Sequence, residues 1–345
     1  MRVVRWQQAH GRHDLPWQAP SDPYRVWLSE VMLQQTQVAT VLPYFDRFVQ
    51  RWPTLPALAR ASLPQVMAAW SGLGYYRRAR MLWECARLVQ RDHNGVLPTT
   101  VEVLATLPGI GRSTAAAIAS LCAGQRVPIL DANVRRVLTR HAGLDRDGTT
   151  TTRLWTLATE RLPRRNARTH MPTYTQGMMD LGALVCTARA PNCVGCPVRH
   201  DCQWRAPDAN RTAQRPAKKA GGNQAKPSLH WWLLVAMRAD GAVWLETRPS
   251  SGIWAGLMCA PCFDDEMQAR MTVPTTSRGS IQALTPRAHE LTHRKLLLHP
   301  LLVSVPQGAS LGPGGRWVSQ CAWHRAGLPA PVRALLLQCE ASSSR

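Results

Sequence analysis

Leu107-Pro108-Gly109-Ile110-Gly111-Arg112-Ser113-Thr114-Ala115 lies between two segments of helical periodicity, Val101 to Leu107 and Ser113 to Ala123. Its two glycines let the backbone turn sharply and approach another molecule closely. The helix that follows opens with N–H groups that have no intrahelical acceptor, so the hairpin of Gly109 and Gly111 can hold a phosphate. This reads as a helix-hairpin-helix over residues 101–123. A lone Gly-x-Gly would be read as an ordinary helix connection, and two other features of the chain decide otherwise.

The first is charge. Of 345 residues, 42 are Lys or Arg and 21 are Asp or Glu, a net charge of +21 that calls for a polyanionic partner. Most of the excess is Arg, whose planar fork suits phosphates and stacked bases. The second is Cys186-x6-Cys193-x2-Cys196-x5-Cys202, four thiols within 17 residues. Four Cys ligands suit a tetrahedral zinc or a [4Fe–4S] cube. Four-Cys zinc sites generally use two close pairs separated by a longer loop, whereas here only Cys193 and Cys196 are close, and the spacing favours iron–sulfur. Cys259-x2-Cys262 and Cys321-x2-His324 also have zinc-like spacing. They stand far apart in the chain and read as small packed residues.

Outward from the hairpin, residues from Asp22 to about Trp204 alternate apolar and polar positions at helical spacing, with Pro or Gly at the breaks. Asp22-Pro23 reads as an N-cap followed by Pro at the first helical position. Further helices are expected at Leu63 to Trp70, Arg77 to Arg91, Asn133 to His141, Arg153 to Leu162 and Tyr174 to Val185. Residues 206–228 turn to Lys, Arg, Gln, Gly, Asn and Pro, the composition of a basic linker. Beyond it, His230 to Met237 and Ala242 to Thr247 flank the hairpin signal Asp240-Gly241. Lys295 to Val305 and Arg316 to Val318 are strand-like, and Pro331 to Cys339 reads as a closing helix. The expectation is multidomain: an all-α domain at 1–205 with a cluster loop at 186–202, then a small α/β domain at 229–340. No apolar run approaches the ~20 residues of a membrane span, and the first residues form no export signal. A soluble, intracellular protein is expected.

The hairpin and the cysteine loop, together with Glu30-Val31-Met32-Leu33-Gln34-Gln35-Thr36-Gln37 and Gly72-Leu73-Gly74-Tyr75-Tyr76, resemble the helix-hairpin-helix DNA glycosylase superfamily. Within it the chain is most similar to the adenine DNA glycosylases of the MutY family, and its C-terminal part is similar to the MutT/Nudix fold. The resemblance implies one [4Fe–4S] cluster on the four cysteines. It also implies double-stranded DNA containing A:8-oxoguanine or A:G as partner, and hydrolysis of the adenine glycosidic bond in base excision repair. The alternatives are an endonuclease III-like glycosylase/lyase for oxidised pyrimidines and a non-catalytic iron–sulfur DNA-binding protein. The resemblance implies that endonuclease III carries Lys where this chain has Ser113. An amine forms a Schiff base at C1′ and a hydroxyl does not, which favours hydrolysis without strand cleavage.

Glu30 is an acid embedded in apolar sequence, and burial raises a carboxyl toward the range useful for a general acid. By itself it reads equally as a flanking carboxylate paired with Arg; the family match makes it the acid that protonates adenine and then handles the attacking water. Asp131 reads as an N-cap for the helix that follows, and the family match adds an anionic role against the developing oxocarbenium. Ala132 departs from the Gly usual in the family. By the same match Arg12, Leu15 and Trp17 line the adenine pocket, Gln176 and Asn133 make polar contacts, and Gln34 and Tyr75 enter the base stack when a nucleotide is flipped. Leu291-Thr292-His293 stands where the family has Phe-Ser-His, with His293 expected to read the opposite base. No helix of clustered glutamates follows Gly256, so the second domain is expected to recognise and not to hydrolyse.

Overall fold

The computed structural model describes residues 1–18, 22–145, 147–204, 227–291 and 294–343, so the expected linker at 206–228 falls almost wholly outside the described residues. Two compact units form. One comprises the described parts of Met1–Arg60 and Met81–Gly222, the other Ala61–Arg80 with the described parts of Asn223–Arg345. Among the described residues no helix is long and apolar enough to cross a membrane.

The first unit is helical. Pro23–Leu33 starts as read from sequence, with Asp22 Oδ1 accepting the Tyr24 N–H at 3.0 Å and Pro23 at the first helical position. Arg2–His10, Val38–Arg51 and Leu55–Arg60 are helices the sequence reading did not pick out. Arg2–His10 turns only Val3, Val4 and Gln7 inward, too thin a stripe to register, and Pro43 sits inside Val38–Arg51, where proline ordinarily signals a break. At the centre, Arg112–Ala123 buries Ala115, Ala116, Ala117, Ile118 and Ala119 in succession. These mostly small side chains let Pro23–Leu33 and Ala167–Asp180 both pack on it. Val3, Val4, Leu130, Val134, Leu138, Leu154, Met171, Tyr174 and Leu181 close the adjoining core. The helix expected at Tyr174 to Val185 is longer and of two kinds. Ala167–Asp180 is α-helical, and Leu181–Val185 widens into a π-helical turn that delivers Cys186.

The second unit is built on a mixed sheet of eight strands. Its spine is Ser228–Met237, paired in parallel with Lys295–Ser304 from Ser228↔Lys295 to Met237↔Ser304. Leu233, Leu234, Val235 and Ala236 are all fully buried, the continuous apolar run of a strand covered on both faces. Val243–Thr247 returns antiparallel through the expected turn at Asp240-Gly241, with Gly241 at φ 75°. Pro300 interrupts a central strand without breaking it. On the side away from the spine, Arg287–Glu290 pairs with Lys295 to Leu298 and Gln282–Ala283 with Leu301 and Leu302, so Pro300 falls at the junction, where its carbonyl accepts from Leu284 N–H at 2.9 Å. Helix Glu266–Thr272 covers one face through Ala269, and Ala330–Ser343 buries Val332, Leu335, Leu336 and Cys339.

Ala61–Arg80 belongs with this unit rather than with the helices on either side of it in sequence. Ser71 Oγ donates to Leu328 O at 2.8 Å, and a Cβ on Gly327 would come within 3.0 Å of the Met67 carbonyl carbon. The division expected from the linker alone, with all of 1–205 in one domain, misses this excursion because nothing in composition marks it.

The hairpin itself is tighter than its periodicity suggests. The first helix is only Val101–Leu104, Leu107 and Ile110 are buried anchors, and Gly109 turns at φ 75° with space for no side chain, since a Cβ would lie 2.7 Å from Met81 Cβ. Gly111 has ordinary extended backbone and open space around it. Gly109→Ala should therefore lose about 1–3 kcal/mol of stability in urea unfolding, whereas Gly111→Ala should stay within about 0.5 kcal/mol of wild type.

Candidate active site and DNA interface

Glu30 sits near the end of Pro23–Leu33, the helix packed on Arg112–Ala123. The residue keeps partial exposure, yet protein crowds its carboxyl so closely that loss of hydration is the largest influence on it, and the negative charge of Asp131 adds to this. Together they push its pKa from 4.5 to about 8. Asp131 caps Ala132–His141, its Oδ1 accepting the Val134 N–H at 2.6 Å. Burial raises Asp131 too, but backbone N–H groups of Val134 and Asn133 and the guanidinium of Arg136 all favour its ionised form. Of the two neighbouring carboxyls, Asp131 is the one served by a helix N-terminus, which favours Glu30 as the holder of the proton. Both readings of Asp131, cap and charge, are compatible in one geometry. Ala132 is simply the first residue of that helix, in right-handed backbone that tolerates a Cβ, so its departure from Gly strains nothing.

Ser113 lies one residue inside Arg112–Ala123, and its Oγ accepts the Leu130 N–H at 3.0 Å, tying the hairpin to the segment that carries Asp131. Asn133 accepts a hydrogen bond on Oδ1 from Arg136 at 2.8 Å.

Arg12 and Gln176 are organised by a residue the sequence reading missed. Asp180 is fully buried and receives Arg12 Nε at 2.8 Å, Arg12 Nη2 at 2.6 Å, the Arg12 backbone N–H at 3.0 Å and Gln176 Nε2 at 2.9 Å. Gln18 bridges Arg12 O and Leu15 N–H, holding the loop in place. Leu15 and Trp17 are buried, Trp17 edge-on to Phe45 at 5.1 Å. The signal for Asp180 was there: it is a lone acid within the apolar run Met178-Met179-Asp180-Leu181, the argument already used for Glu30.

Gln34 stands four residues beyond Glu30, at the end of the same helix. The helix ends at Leu33 and Gln34 caps it, followed by Gln35 at φ 58°. Tyr75 belongs to the second unit, where it is 46% exposed at φ 49° between Gly74 and the helix Arg77–Asp92, its ring 5.3 Å from the Arg78 guanidinium. His293 and Thr292 lie outside the described residues. Cys321 is exposed and His324 pairs with Glu340 at 3.0 Å, so these two are engaged separately from Cys259 and Cys262.

The cysteine loop is gripped by two arginines one turn apart on the helix that Asp131 caps. Arg136 donates from Nε to Cys186 O at 2.7 Å and from Nη2 to Gly182 O at 2.6 Å. Arg140 donates from Nη1 to Cys186 Sγ at 3.4 Å and Thr187 O at 2.7 Å, and from Nη2 to Ala188 O at 3.0 Å. Cys186, Cys193, Cys196 and Cys202 are all half-buried and free of disulfides. Burial raises the Cys196 and Cys202 thiols and the other thiols of the set raise them further, so the four lie within electrostatic reach of one another. Among the described residues no three His, Cys, Asp or Glu side chains converge as ligands of a single metal ion.

Comparison with known proteins identifies the two domains. Residues 28–162 match the family model of the HhH-GPD superfamily of base excision DNA repair proteins, and residues 232–338 match that of the NUDIX domain. The fold and these two matches define a base-excision DNA glycosylase with a helix-hairpin-helix, followed by a NUDIX domain. The adenine DNA glycosylase of Buchnera aphidicola subsp. Acyrthosiphon pisum (strain APS) is 32% identical over 97% of this chain and 95% of its own length. That of Mycobacterium tuberculosis (strain ATCC 25618 / H37Rv) is 45% identical over 59% of this chain and 66% of its own. The structure of a thermostable thymine-DNA glycosylase matches with a TM-score of 0.53 at 27% identity, covering 59% of this chain and 93% of that one. The chain belongs to the adenine DNA glycosylase family.

The buried network makes a firm expectation for Asp180. Removing the carboxylate leaves the Arg12 guanidinium and the Gln176 amide facing an apolar interior, so Asp180→Ala should lose about 3–5 kcal/mol in chemical denaturation. Asp180→Asn, which keeps a hydrogen-bond acceptor, should lose less.

Proposed function

We propose that this chain hydrolyses the glycosidic bond of adenine paired with 8-oxoguanine or guanine, as a monofunctional glycosylase. The observation that carries this reading is the Glu30 carboxyl, raised to about 8 beside Asp131. A carboxylic acid that keeps its proton at neutral pH can give it to the leaving adenine, at N7, and then take a proton from the attacking water. Asp131, whose ionised form its backbone donors favour against the effect of burial, offsets the oxocarbenium that develops on the sugar, and Asn133 contributes one of those N–H groups. Arg12, Leu15, Trp17 and Gln176 receive the flipped base, Gln34 and Tyr75 enter the stack it leaves, and Gly109 and Gly111 hold the DNA backbone. Ser113 offers no amine to the abasic sugar, which supports hydrolysis without a lyase step. The 229–340 domain reads the opposite base through His293 and does not hydrolyse. The protein acts as a monomer at the nucleoid of a bacterial-type cytoplasm.

The donor chemistry of the loop fits the family's cluster: four free thiols on one short loop, with Arg140 donating to Cys186 Sγ. Cys186, Cys193, Cys196 and Cys202 would hold one [4Fe–4S] cluster, which when bound supplies a cross-link of the loop and a redox centre. The purified protein should contain about four irons per chain and negligible zinc, measured by elemental analysis of anaerobically prepared material. Stoichiometric zinc would reverse the assignment.

Single-turnover assays on duplexes pairing adenine with each partner base test the function. Adenine release is expected opposite 8-oxoguanine and guanine, leaving strands that break only on later alkali treatment. Release opposite neither would sink the substrate assignment. Glu30→Gln should slow excision by about 100- to 10,000-fold with duplex affinity nearly unchanged, and the wild-type rate should fall as pH rises past about 8. Excision within tenfold of wild type would remove Glu30 from the chemistry. The same variant has a stability signature. Between 4.5, where the unfolded carboxyl titrates, and about 8 the folded state holds a proton the unfolded state has lost, so this group's contribution worsens as pH rises through that window. The stability of Glu30→Gln relative to wild type should accordingly improve by several kcal/mol between about pH 4 and pH 8.

A further inference from the structure

Cys259-Ala260-Pro261-Cys262 stands apart from both the helical unit and the loop at 186–202. Cys259 ends the short strand Met258–Cys259, which pairs with Val243–Thr247 through Glu246↔Cys259. Cys262 begins Cys262–Phe263, which pairs with the spine of the sheet through Leu233↔Cys262. The turn between them is pinned as well, Pro261 O accepting the Leu234 N–H at 3.0 Å. Backbone pairing on both sides thus holds the two cysteines in place, and their Sγ atoms lie 3.6 Å apart. Neither is in a disulfide, and closing the bond needs an approach of about 1.6 Å between sulfurs that already face each other.

The two thiols are unequal. Cys262 is partly exposed and its Sγ lies 3.2 Å from Ala260 O, whereas Cys259 is fully buried. Burial holds the Cys259 proton, with its thiol pushed well above the ordinary range, so Cys262 is the sulfur that solvent-borne reagents reach first. His324, which might have completed a metal site, is committed to Glu340, and Cys321 is exposed on its own short helix.

We propose that Cys259 and Cys262 form an oxidisable dithiol whose reaction partner is a low-molecular-weight disulfide. Cys262, after losing its proton to solvent, attacks one sulfur of that disulfide. The small S–S bond breaks, one small thiolate leaves and takes up a proton, and a mixed disulfide remains on Cys262. The Cys259 thiol then attacks Cys262 Sγ, its proton passing to the second leaving thiolate. The protein dithiol is oxidised by two electrons and one small disulfide is reduced to two thiols.

The test uses the intact protein prepared anaerobically, equilibrated with mixtures of reduced and oxidised glutathione, acid-quenched, alkylated and mapped by peptide mass spectrometry. The peptide carrying both cysteines should pass to an internal disulfide as oxidised glutathione is raised, while Cys85 and Cys339, both buried, stay fully alkylatable. Cys259→Ala should stop at a stable glutathione adduct on Cys262, and Cys262→Ala should leave Cys259 unmodified. Full alkylation of both cysteines in the wild type under excess oxidised glutathione would overturn the proposal. So would a glutathione adduct that persists on wild-type Cys262, since Cys259 would then fail to resolve it. The thiol state is read directly, so the outcome is independent of whether the protein excises adenine.

Discussion

A carboxyl stripped of water beside a second carboxylate is an unfavourable thing to fold, and this structure is arranged around one. Glu30 is held by Pro23–Leu33, whose Val26, Trp27, Leu28, Val31 and Met32 are all buried, so the helix cannot roll the acid outward without exposing that whole apolar face. The lost hydration is offset by the core, not by a partner cation, and that choice sets the chemistry. A salt bridge to Arg would have favoured the ionised form of Glu30; the Arg12 guanidinium makes its bridge to Asp180 instead. Two acids of one helical unit therefore have opposite neighbours, a guanidinium at Asp180 and a second carboxyl at Glu30.

Helix Ala132–His141 connects these parts. Its N-terminus fixes Asp131, its second turn sends Arg136 to Asn133, Gly182 and Cys186, and its third sends Arg140 to the Cys186 thiol and the carbonyls beyond. Gly182 is what lets the two segments meet, since a Cβ there would lie 2.6 Å from Asn133 Cβ. The π-helical turn at Leu181–Val185 is the device that re-aims the chain at this crossing, turning the end of a long helix toward the cysteine loop. The capped end of the helix and the gripped loop are thus parts of one rigid element rather than neighbouring features.

Much of this was legible in the sequence because its signals are local. Asp22-Pro23 announces a helix start through geometry that spans three residues, Gly109-x-Gly111 a tight turn, and Cys193-x2-Cys196 a loop that can wrap a cofactor. What escaped reading is non-local. The parallel pairing of Ser228–Met237 with Lys295–Ser304 joins segments that are far apart in the chain, and an apolar run carries no sign of its partner. Ala61–Arg80 looks like any other helical segment until Ser71 and Met67 are seen against Leu328 and Gly327. Pro300 would ordinarily argue against a central strand, and only the handover between two short neighbours makes room for it.

Departures from a family pattern carry weight according to what the backbone does at that position. Ala132 looked consequential because Gly commonly marks a strained turn, yet the chain there has already entered a right-handed helix, and the position of Asp131 is set by its hydrogen bond to Val134 rather than by its successor. Gly109 is the converse case. Its left-handed φ and the nearness of Met81 leave no alternative residue, whereas Gly111, two positions on, is free of both constraints. A glycine required by its own conformation supports the fold, and a glycine that merely leaves open space supports whatever comes close to it. In this hairpin the second kind sits at the N-terminus of Arg112–Ala123, the end of a helix whose first N–H groups have no intrahelical acceptor, which is the geometry that the proposed backbone contact requires.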